Sequence, residues 1–215
     1  MVHRDTEMTQ TAPFPAQKPA PLPQSFYLRP TLDVAVDLLG KQLVRIESNG
    51  DLTTGIIHEV EAYIGEDDLG CHARSGRTLR NEAMWGPPGH AYVYFTYGMH
   101  WLLNAVTEAE GFPAAVLLRS VIPRNGIDRI RTRRKPQPDH LLTNGPAKIC
   151  QAFAIDEGHN HASLYHPAGA LTIRPGLAVD PAWIQTSARI GLNTVPEPWK
   201  SIAWRFFIPP QHLKN

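Results

Sequence analysis

The sequence predicts an α+β fold, a single mixed domain with a largely antiparallel sheet and packed helices. The chain has 215 residues, which is enough for one sizeable core and rather short for two. Strand-like runs outnumber helix-like ones, and the first two are separated by Asn49-Gly50, a dipeptide typical of a tight hairpin between antiparallel strands. Three later β-rich runs follow one another closely, which predicts a β-meander.

The N-terminus is expected to form a disordered tail over residues 1–25, which leaves 26–215 as the folded domain. Five prolines from Pro13 to Pro23 lie among small and polar residues. Proline disfavours both helices and sheet ladders, so an extended tail is the expected result.

The remaining elements follow from spacing and turn residues. The first predicted helix begins at Pro30-Thr31, has apolar residues at helical spacing and stops at Gly40. Residues 65–79 are too polar and glycine-rich for a regular element, so a long loop is expected there. The predicted strands span residues 43–47, 52–63, 90–96, 100–107, 114–122, 171–174, 188–192 and 204–208, further helices span 125–134 and 145–154, and a helical turn spans 81–85.

Composition says little about partners. The formal net charge is +1, whereas a protein that binds many phosphates is usually more basic overall. The basic residues are clustered, however: Arg74, Arg77 and Arg80 precede an aromatic run, and a second cluster lies between Arg124 and Lys135. Such clusters are compatible with a solvated face as well as with an anion-binding face.

The cysteine count and the hydropathy bear on the compartment. Two cysteines, Cys71 and Cys150, are too few for a fold built on disulfides, which fits a reducing interior. The N-terminus lacks the apolar segment of a secretory signal, and no apolar stretch is long enough to span a bilayer. We therefore expect a soluble, cytoplasmic protein.

The unusual residues are concentrated in residues 57–107. An apolar run ends on Glu61, and an acid in that position is expected where the core meets a cleft. A rim carboxylate paired with an arginine would explain Glu61 as well. The run 92–98 contains three tyrosines, which in strands are more often core residues than stacking surfaces. With the nearby arginines, these residues suggest a flat, electron-poor substrate on an anionic backbone.

Five features occur in order along the chain: EAY at 61–63, His72, PGHAYVYFTYGMHWLLN at 88–104, VLLRSVIP at 116–123 and NGPAKICQAFAI at 144–155. This series resembles the alkyladenine (3-methyladenine) DNA glycosylase family in its bacterial form, from about residue 26 to about residue 207. The resemblance implies that the sheet is curved and carries a projecting β-hairpin for DNA intercalation.

The resemblance also implies an activity. The protein would be a monofunctional DNA glycosylase of base excision repair, acting on double-stranded DNA. It would flip alkylated or deaminated purines, such as 3-methyladenine, 7-methylguanine, hypoxanthine and ethenoadenine, and hydrolyse their N-glycosidic bond to leave an abasic site. No cofactor or metal is implied, and we expect a monomer associated with the nucleoid.

Glu61 and Arg119 are the predicted catalytic residues. The resemblance gives Glu61 the role of activating water, which suits a reaction that builds positive charge on the sugar. It places Arg119 near the attacking water and the backbone of the target nucleotide. An ion pair with an acid would also explain an arginine at the end of an apolar run.

Four residues are predicted to bind the base. The resemblance makes Tyr63 and Tyr94 the pocket walls and brings His72 into contact with the base. It makes Asn104 a steric filter against the exocyclic amino group of guanine. Each also has a structural explanation. Tyr63 and Tyr94 fit core aromatics, His72 fits a polar loop residue, and Asn104 fits a buried amide that needs only a hydrogen-bond partner.

The turn after the aromatic run is predicted to contact DNA. Tyr97 matches the wedge that fills the gap left by a flipped nucleotide through the minor groove, and Met99 lies beside it. A Schiff base on Lys148, as in bifunctional glycosylases, is an alternative that the resemblance disfavours. The further DNA-binding residues are expected to be Arg74, Arg77, Arg80 and Lys148.

Other chemistries are weakly indicated. A zinc site could be drawn from neighbouring acids, histidines and Cys71, but the chain has no HExxH, CxxC or paired-histidine spacing. Cys71 as a nucleophile lacks an evident base. Two other functions stay open: a non-catalytic module that binds damaged DNA, against which Glu61 argues, and a nucleosidase for free nucleosides, against which Tyr97 and its arginines argue.

Overall fold

A 13-residue strand, β2 (Leu52–Ile64), lies at the centre of the sheet. In the computed structural model, which describes residues 19–213, one edge of β2 pairs with β5 (Ala114–Asn125) over most of its length. The opposite edge is shared between β1 (Gln42–Ile46) and β8 (Arg205–Phe207). The register between β2 and β5 shifts at three points, and such bulges bend a strand and increase its twist. β2 therefore joins the two parts of a bent sheet.

The other strands extend this sheet on both sides. They are β3 (Ala91–Thr96), β4 (His100–Val106), β6 (Leu171–Arg174) and β7 (Gln185–Ser187). The order is β3-β4-β5-β2-β1-β6, with β7 attached to β8, and every strand pair among residues 19–213 is antiparallel. The predicted α+β class, the largely antiparallel sheet and the β3-β4-β5 meander are confirmed.

Four α-helices occur in the described part of the chain: α1 (Gln24–Tyr27), α2 (Thr31–Leu38), α3 (Ile127–Arg134) and α4 (Pro146–Phe153). The three predicted helices are confirmed to within a few residues. α4 begins with proline at its first turn, a position that needs no N–H donor, and buries Ile149, Ala152 and Phe153 against β4 and β5. No helix within residues 19–213 is long and apolar enough to cross a membrane.

The predicted disordered tail lies mostly in residues 1–18, outside the described residues. Of the remainder, Leu22 is buried, and its N–H donates to the carbonyl oxygen of Ile173 over 2.8 Å. Helix α1 then begins at Gln24. The packed chain therefore begins before residue 26.

The predicted strand over residues 188–192 is wrong. The sheet strand β7 ends at Ser187, and the chain then turns at Gly191, whose φ of +88° is readily adopted only by glycine. The backbone N–H of Ile190 is bonded to a carboxylate instead of a neighbouring strand. Alternating apolar residues gave this segment a strand-like pattern. Its backbone N–H, however, bonds to a side chain and not to another strand.

Candidate active site

A cavity of about 340 Å³ opens where the end of β2 meets β3, β4 and β5. The loop after β2, the start of α4 and the turn after β7 complete its wall. Its volume lies at the lower end of the range for small-molecule sites. The residues of its wall that were singled out from the sequence are Tyr63, His72, Tyr94, Tyr97, Asn104 and Arg119.

Strand register explains why these residues meet. Tyr92 of β3 lies opposite Asn104 of β4, which in turn lies opposite Leu117 of β5. Leu117 also lies opposite Glu61 of β2, so the four residues form one row across four strands. Because side chains two apart along a strand share a face, the row is flanked on the same face by Tyr94, Arg119 and Tyr63.

Glu61 is fully buried directly behind the cavity wall. Its Oε2 accepts hydrogen bonds from Tyr63 Oη at 2.8 Å and from Arg119 Nη1 at 3.3 Å. Its Oε1 accepts a bond from the backbone N–H of Ile190 at 2.7 Å. All three donors belong to residues that line the cavity. Glu61 therefore lies where the core meets the cavity, one layer beneath the wall, and the alternative of a carboxylate at the rim is wrong, although Glu61 is paired with an arginine.

Arg119 links Glu61 to a second carboxylate. Its Nε donates to Glu59 Oε1 at 2.9 Å, and Arg205 Nε donates to the same oxygen at 2.8 Å. Burial acts to raise the pKa of Glu59, but the bonds from these two arginines outweigh it and lower that pKa. Burial acts to lower the pKa of Arg119, but the charges of Glu61 and Glu59 raise it overall. Both partners of this pair are therefore held in their charged forms.

Aromatic rings form the sides of the cavity. The rings of His72 and Tyr94 meet edge to face with centroids 4.5 Å apart, and His72 Nδ1 lies 2.9 Å from Tyr92 Oη. Burial raises the pKa of Tyr63, Tyr92 and Tyr94, so the three phenols stay protonated. The walls are thus uncharged rings of the kind that stack on flat ligands.

His72 is held neutral. The residue as a whole is exposed, but its ring lines the cavity and contacts Tyr92 and Tyr94, so the ring is partly buried. This partial burial and the positive charges of Arg80 and Arg74 lower the pKa of His72 from 6.5 to about 4. The imidazole therefore carries no charge near neutral pH.

Asn104 is buried, and its Nδ2 donates to the backbone oxygen of Tyr92 at 3.0 Å. The structural partner considered from the sequence therefore exists, and it fixes the orientation of the amide. The side chain nevertheless reaches the cavity surface.

The β3-β4 turn projects an apolar tip beside the cavity mouth. Tyr97 is 87% exposed and Met99 is 68% exposed. Tyr97 has φ +51° and Gly98 has φ +65°, conformations that a tight turn requires and that cost energy in a tyrosine. Tyr97 also lines the cavity, whereas Met99 does not.

The predicted DNA-binding cations are not all at the cavity. Arg74 and Arg80 line an adjoining cavity of about 500 Å³, and Arg80 Nη2 donates to the backbone oxygen of Phe95 at 3.3 Å. Arg77 is exposed and lines neither space. Lys148 lies in the first turn of α4, where its Nζ donates to Asn144 Oδ1 at 2.7 Å.

The second basic cluster is largely paired within the protein. The ion pairs are Arg129 with Asp51, Arg131 with Asp128 and Asp139, and Arg133 with Glu47. The pairs of Arg131 are exposed and add little stability, whereas Arg133 and Glu47 are partly buried. All of these pairs offset charge locally. This cluster presents less free positive charge than its sequence suggests.

Cysteine and metal chemistry have little structural basis. Burial raises the pKa of Cys71 to about 12, so the thiol stays protonated and is a weak nucleophile. Among residues 19–213, no three acids, histidines or cysteines are grouped as for a metal ion.

Several residues of the site were not foreseen. Tyr92 belongs to the run of three tyrosines noted in the sequence but was not assigned to the pocket that it lines. Arg189 and Ile190 fell in a predicted strand, although Gly191 was a signal for a turn there. The ion pair between Arg189 and Asp68 joins positions far apart in the chain, and no local pattern indicates it.

A cavity with aromatic walls in front of a fixed carboxylate is suited to hold one flat ring system beside a general base. Comparison with known proteins identifies the class. The profile of the family described as Methylpurine-DNA glycosylase (MPG) matches residues 25–212, and the chain belongs to this family. It is therefore a DNA glycosylase of DNA repair, a hydrolase that acts on N-glycosidic bonds.

Individual relatives agree with the family match. The chain is 46% identical over 183 residues to a protein of Chlorobaculum parvum, covering 85% of each chain. It is 46% identical over 190 residues to one of Carboxydothermus hydrogenoformans, covering 87% of this chain and 94% of the relative. It is 45% identical over 195 residues to one of Myxococcus xanthus, covering 90% and 93%. All three relatives have the provisional name 3-methyladenine DNA glycosylase.

Proposed function

We propose that this protein is a monofunctional DNA glycosylase that extrudes alkylated or deaminated purines from double-stranded DNA and hydrolyses their N-glycosidic bond. The observation that carries the proposal is the contact between Glu61 and the cavity wall. Three wall groups donate hydrogen bonds to this carboxylate. A base held in the cavity therefore lies close to a carboxylate whose position is fixed.

Glu61 acts as the base that activates water. A carboxylate has about four lone-pair positions, and the three donors leave one position on Oε1 for a water. Positive charge develops on the sugar as the bond breaks, and a buried carboxylate both stabilises that charge and takes a proton from the water. Arg119 donates a hydrogen bond to the other oxygen of Glu61, Oε2. Arg119 also faces the backbone of the target nucleotide.

The extruded base stacks against Tyr63, Tyr94 and His72. Electron-rich rings favour a cationic alkylated purine over a neutral purine by about 0.5–2 kcal/mol. His72 permits this preference, because with a pKa of about 4 it adds no positive charge to the pocket near neutral pH. Asn104, fixed by Tyr92, blocks the exocyclic amino group of guanine.

The projecting turn and the nearby cations bind the duplex. Tyr97 fills the gap that the flipped nucleotide leaves, and Met99 extends the same apolar tip. Extrusion costs a few kcal/mol, which insertion of the tip offsets. Phosphate contacts are supplied by Arg74, Arg77, Arg80 and Lys148, and the protein acts as a monomer in the cytoplasm.

The test is incubation of the protein with duplex oligonucleotides that carry 3-methyladenine, 7-methylguanine, hypoxanthine or ethenoadenine. The expected product is an intact strand with an abasic site, revealed by alkali, and a chelator leaves the rate unchanged. Borohydride is expected to trap no adduct, in the native protein as in Lys148→Ala. Release of bases from free nucleosides alone would instead indicate a nucleosidase, and binding without release would indicate a binding module.

A further inference from the structure

Arg189 is the most completely buried cation near the cavity, with no exposed side-chain surface. Its Nη1 and Nη2 donate to the two oxygens of Asp68 at 2.5 and 2.7 Å, and Nη1 also donates to the backbone oxygen of Ala62 at 2.9 Å. The guanidinium carbon lies 4.6 Å from the ring centroid of Tyr63 and 5.2 Å from that of Trp204. Arg189 thus contacts the back of a cavity wall residue without lining the cavity.

The ion pair connects two neighbouring segments that both contribute to the cavity wall. Asp68 lies in the loop after β2, where its carboxylate also accepts the N–H of Gly70 at 2.9 Å. A Cβ atom on Gly70 would lie 2.8 Å from Arg189 Nη2, so the two segments approach as closely as glycine allows. On the other side, the residue after Arg189 is Ile190, whose N–H holds Glu61 Oε1 at 2.7 Å.

Stability alone does not account for this arrangement. The free energy lost when two charges are removed from water offsets much of the free energy gained from their attraction. A buried ion pair therefore adds little net stability to a fold. Arg189 Nε is buried and has no hydrogen-bond partner within residues 19–213. The position of the guanidinium therefore leaves one donor, Nε, without a partner. In that position it packs against the Tyr63 ring and ties the turn after β7 to Asp68.

We propose that Arg189, with Asp68 as its counter-ion, is a positioning residue for base excision. It fixes the turn after β7 so that the Ile190 N–H holds Glu61, and it supports the Tyr63 ring that donates to the other oxygen of the same carboxylate. This inference rests on the proposed role of Glu61 as the water-activating base.

The test compares Arg189→Lys and Asp68→Asn with Arg133→Lys as a matched control. Lysine keeps the charge but not the planar, two-pronged contact. Arg133 also combines an ion pair, to Glu47, with a bond to a backbone oxygen, that of Ala152, but it lies away from both cavities at the site. Two quantities are measured on folded protein: the single-turnover excision rate at saturating enzyme, and the hydrogen exchange of the Ile190 amide.

In Arg189→Lys and Asp68→Asn, the excision rate is expected to fall about 10-fold or more, since small misplacements of a catalytic group are costly, and the Ile190 amide to exchange faster. Arg133→Lys is expected to change neither. A wild-type rate in both site variants would overturn the inference, as would a slower rate with unchanged Ile190 exchange. Failure of both to fold would overturn it too, because the pair would then serve the fold. Absence of excision by the native protein would instead refute the proposed function.

Discussion

Tyr63 Oη donates a hydrogen bond of 2.8 Å to Glu61 Oε2, from two positions along the same strand. Residues with this spacing share a face of a sheet, so one short segment of β2 supplies both a wall of the cavity and the carboxylate behind it. In the proposed mechanism, this single hydrogen bond couples base stacking on Tyr63 to water activation by Glu61.

Tyr63→Phe separates these two roles. The ring remains, but the donor to a buried carboxylate is lost, so the free energy of unfolding is expected to fall by about 1.5–3 kcal/mol and the excision rate to fall with it. Lesion binding is expected to change little. Urea unfolding and single-turnover excision measure the two effects, with Tyr165→Phe, outside the cavity, as the control. An unchanged stability and rate would show that the bond is unimportant.

His72 gives the protein a pH dependence of defined sign. Its folded-state pKa of about 4 lies below the ordinary value of 6.5, so the stability linked to neutral His72 is full above about pH 6.5. That stability is lost as the pH falls towards 4. NMR titration of the imidazole measures the pKa, and Arg80→Gln is expected to raise it by removing a nearby positive charge. A wild-type His72 that titrates near 6.5 would contradict the geometry.

Tyr97→Ala tests the wedge. The cavity remains, but the flipped nucleotide loses the side chain that replaces it in the stack, so both lesion binding and excision are expected to weaken. The cost of extrusion is a few kcal/mol, which sets the upper limit of the loss. Tyr97→Phe, which keeps the ring, is expected to behave like the wild type. Normal binding and excision by Tyr97→Ala would contradict the proposed role of Tyr97 as the wedge.

Asn104→Ser tests the filter. The shorter side chain leaves room for the amino group of guanine, so a gain of excision at undamaged guanine opposite thymine is expected, with less discrimination against it. The variant also loses the bond to the Tyr92 oxygen, which costs about 0.5–1.5 kcal/mol. Asn160→Ser, which loses a comparable bond to the Val93 N–H outside the cavity, is the control. A loss of stability with no gain on guanine would refute the filter.

Much of the fold follows from local sequence. Asn49-Gly50 predicts the first hairpin, three closely spaced β-rich runs predict the meander, and proline and glycine mark the ends of the first helix, because each signal depends on neighbouring residues alone. The same signals failed at residues 188–192, where the deciding interactions, of Arg189 with Asp68 and of Ile190 with Glu61, are made with residues on a distant strand and loop.

The candidate site residues were predicted from the resemblance, and those that line the cavity include His72 in a loop and Tyr97 in a turn. Tyr94, Asn104 and Arg119 lie on strands whose register brings them to one face. The burial of Glu61 was not predictable, because the backbone N–H that holds its Oε1 comes from a residue 129 positions further along the chain. Burial and hydrogen bonding of an acid depend on such distant partners, and its own neighbours do not reveal them.

The central claim, that Glu61 activates the water, is tested most directly by single-turnover excision with Glu61→Gln. Glutamine matches the shape, but its amide group would face donors that now bond to a carboxylate, so folding is verified first by unfolding measurements. Glu59→Gln, which removes the other partner of Arg119, is the control and is expected to lose less activity. The account predicts that Glu61→Gln still binds lesion DNA while excision falls by about 10²-fold or more. Near-normal excision by a folded Glu61→Gln protein would contradict it.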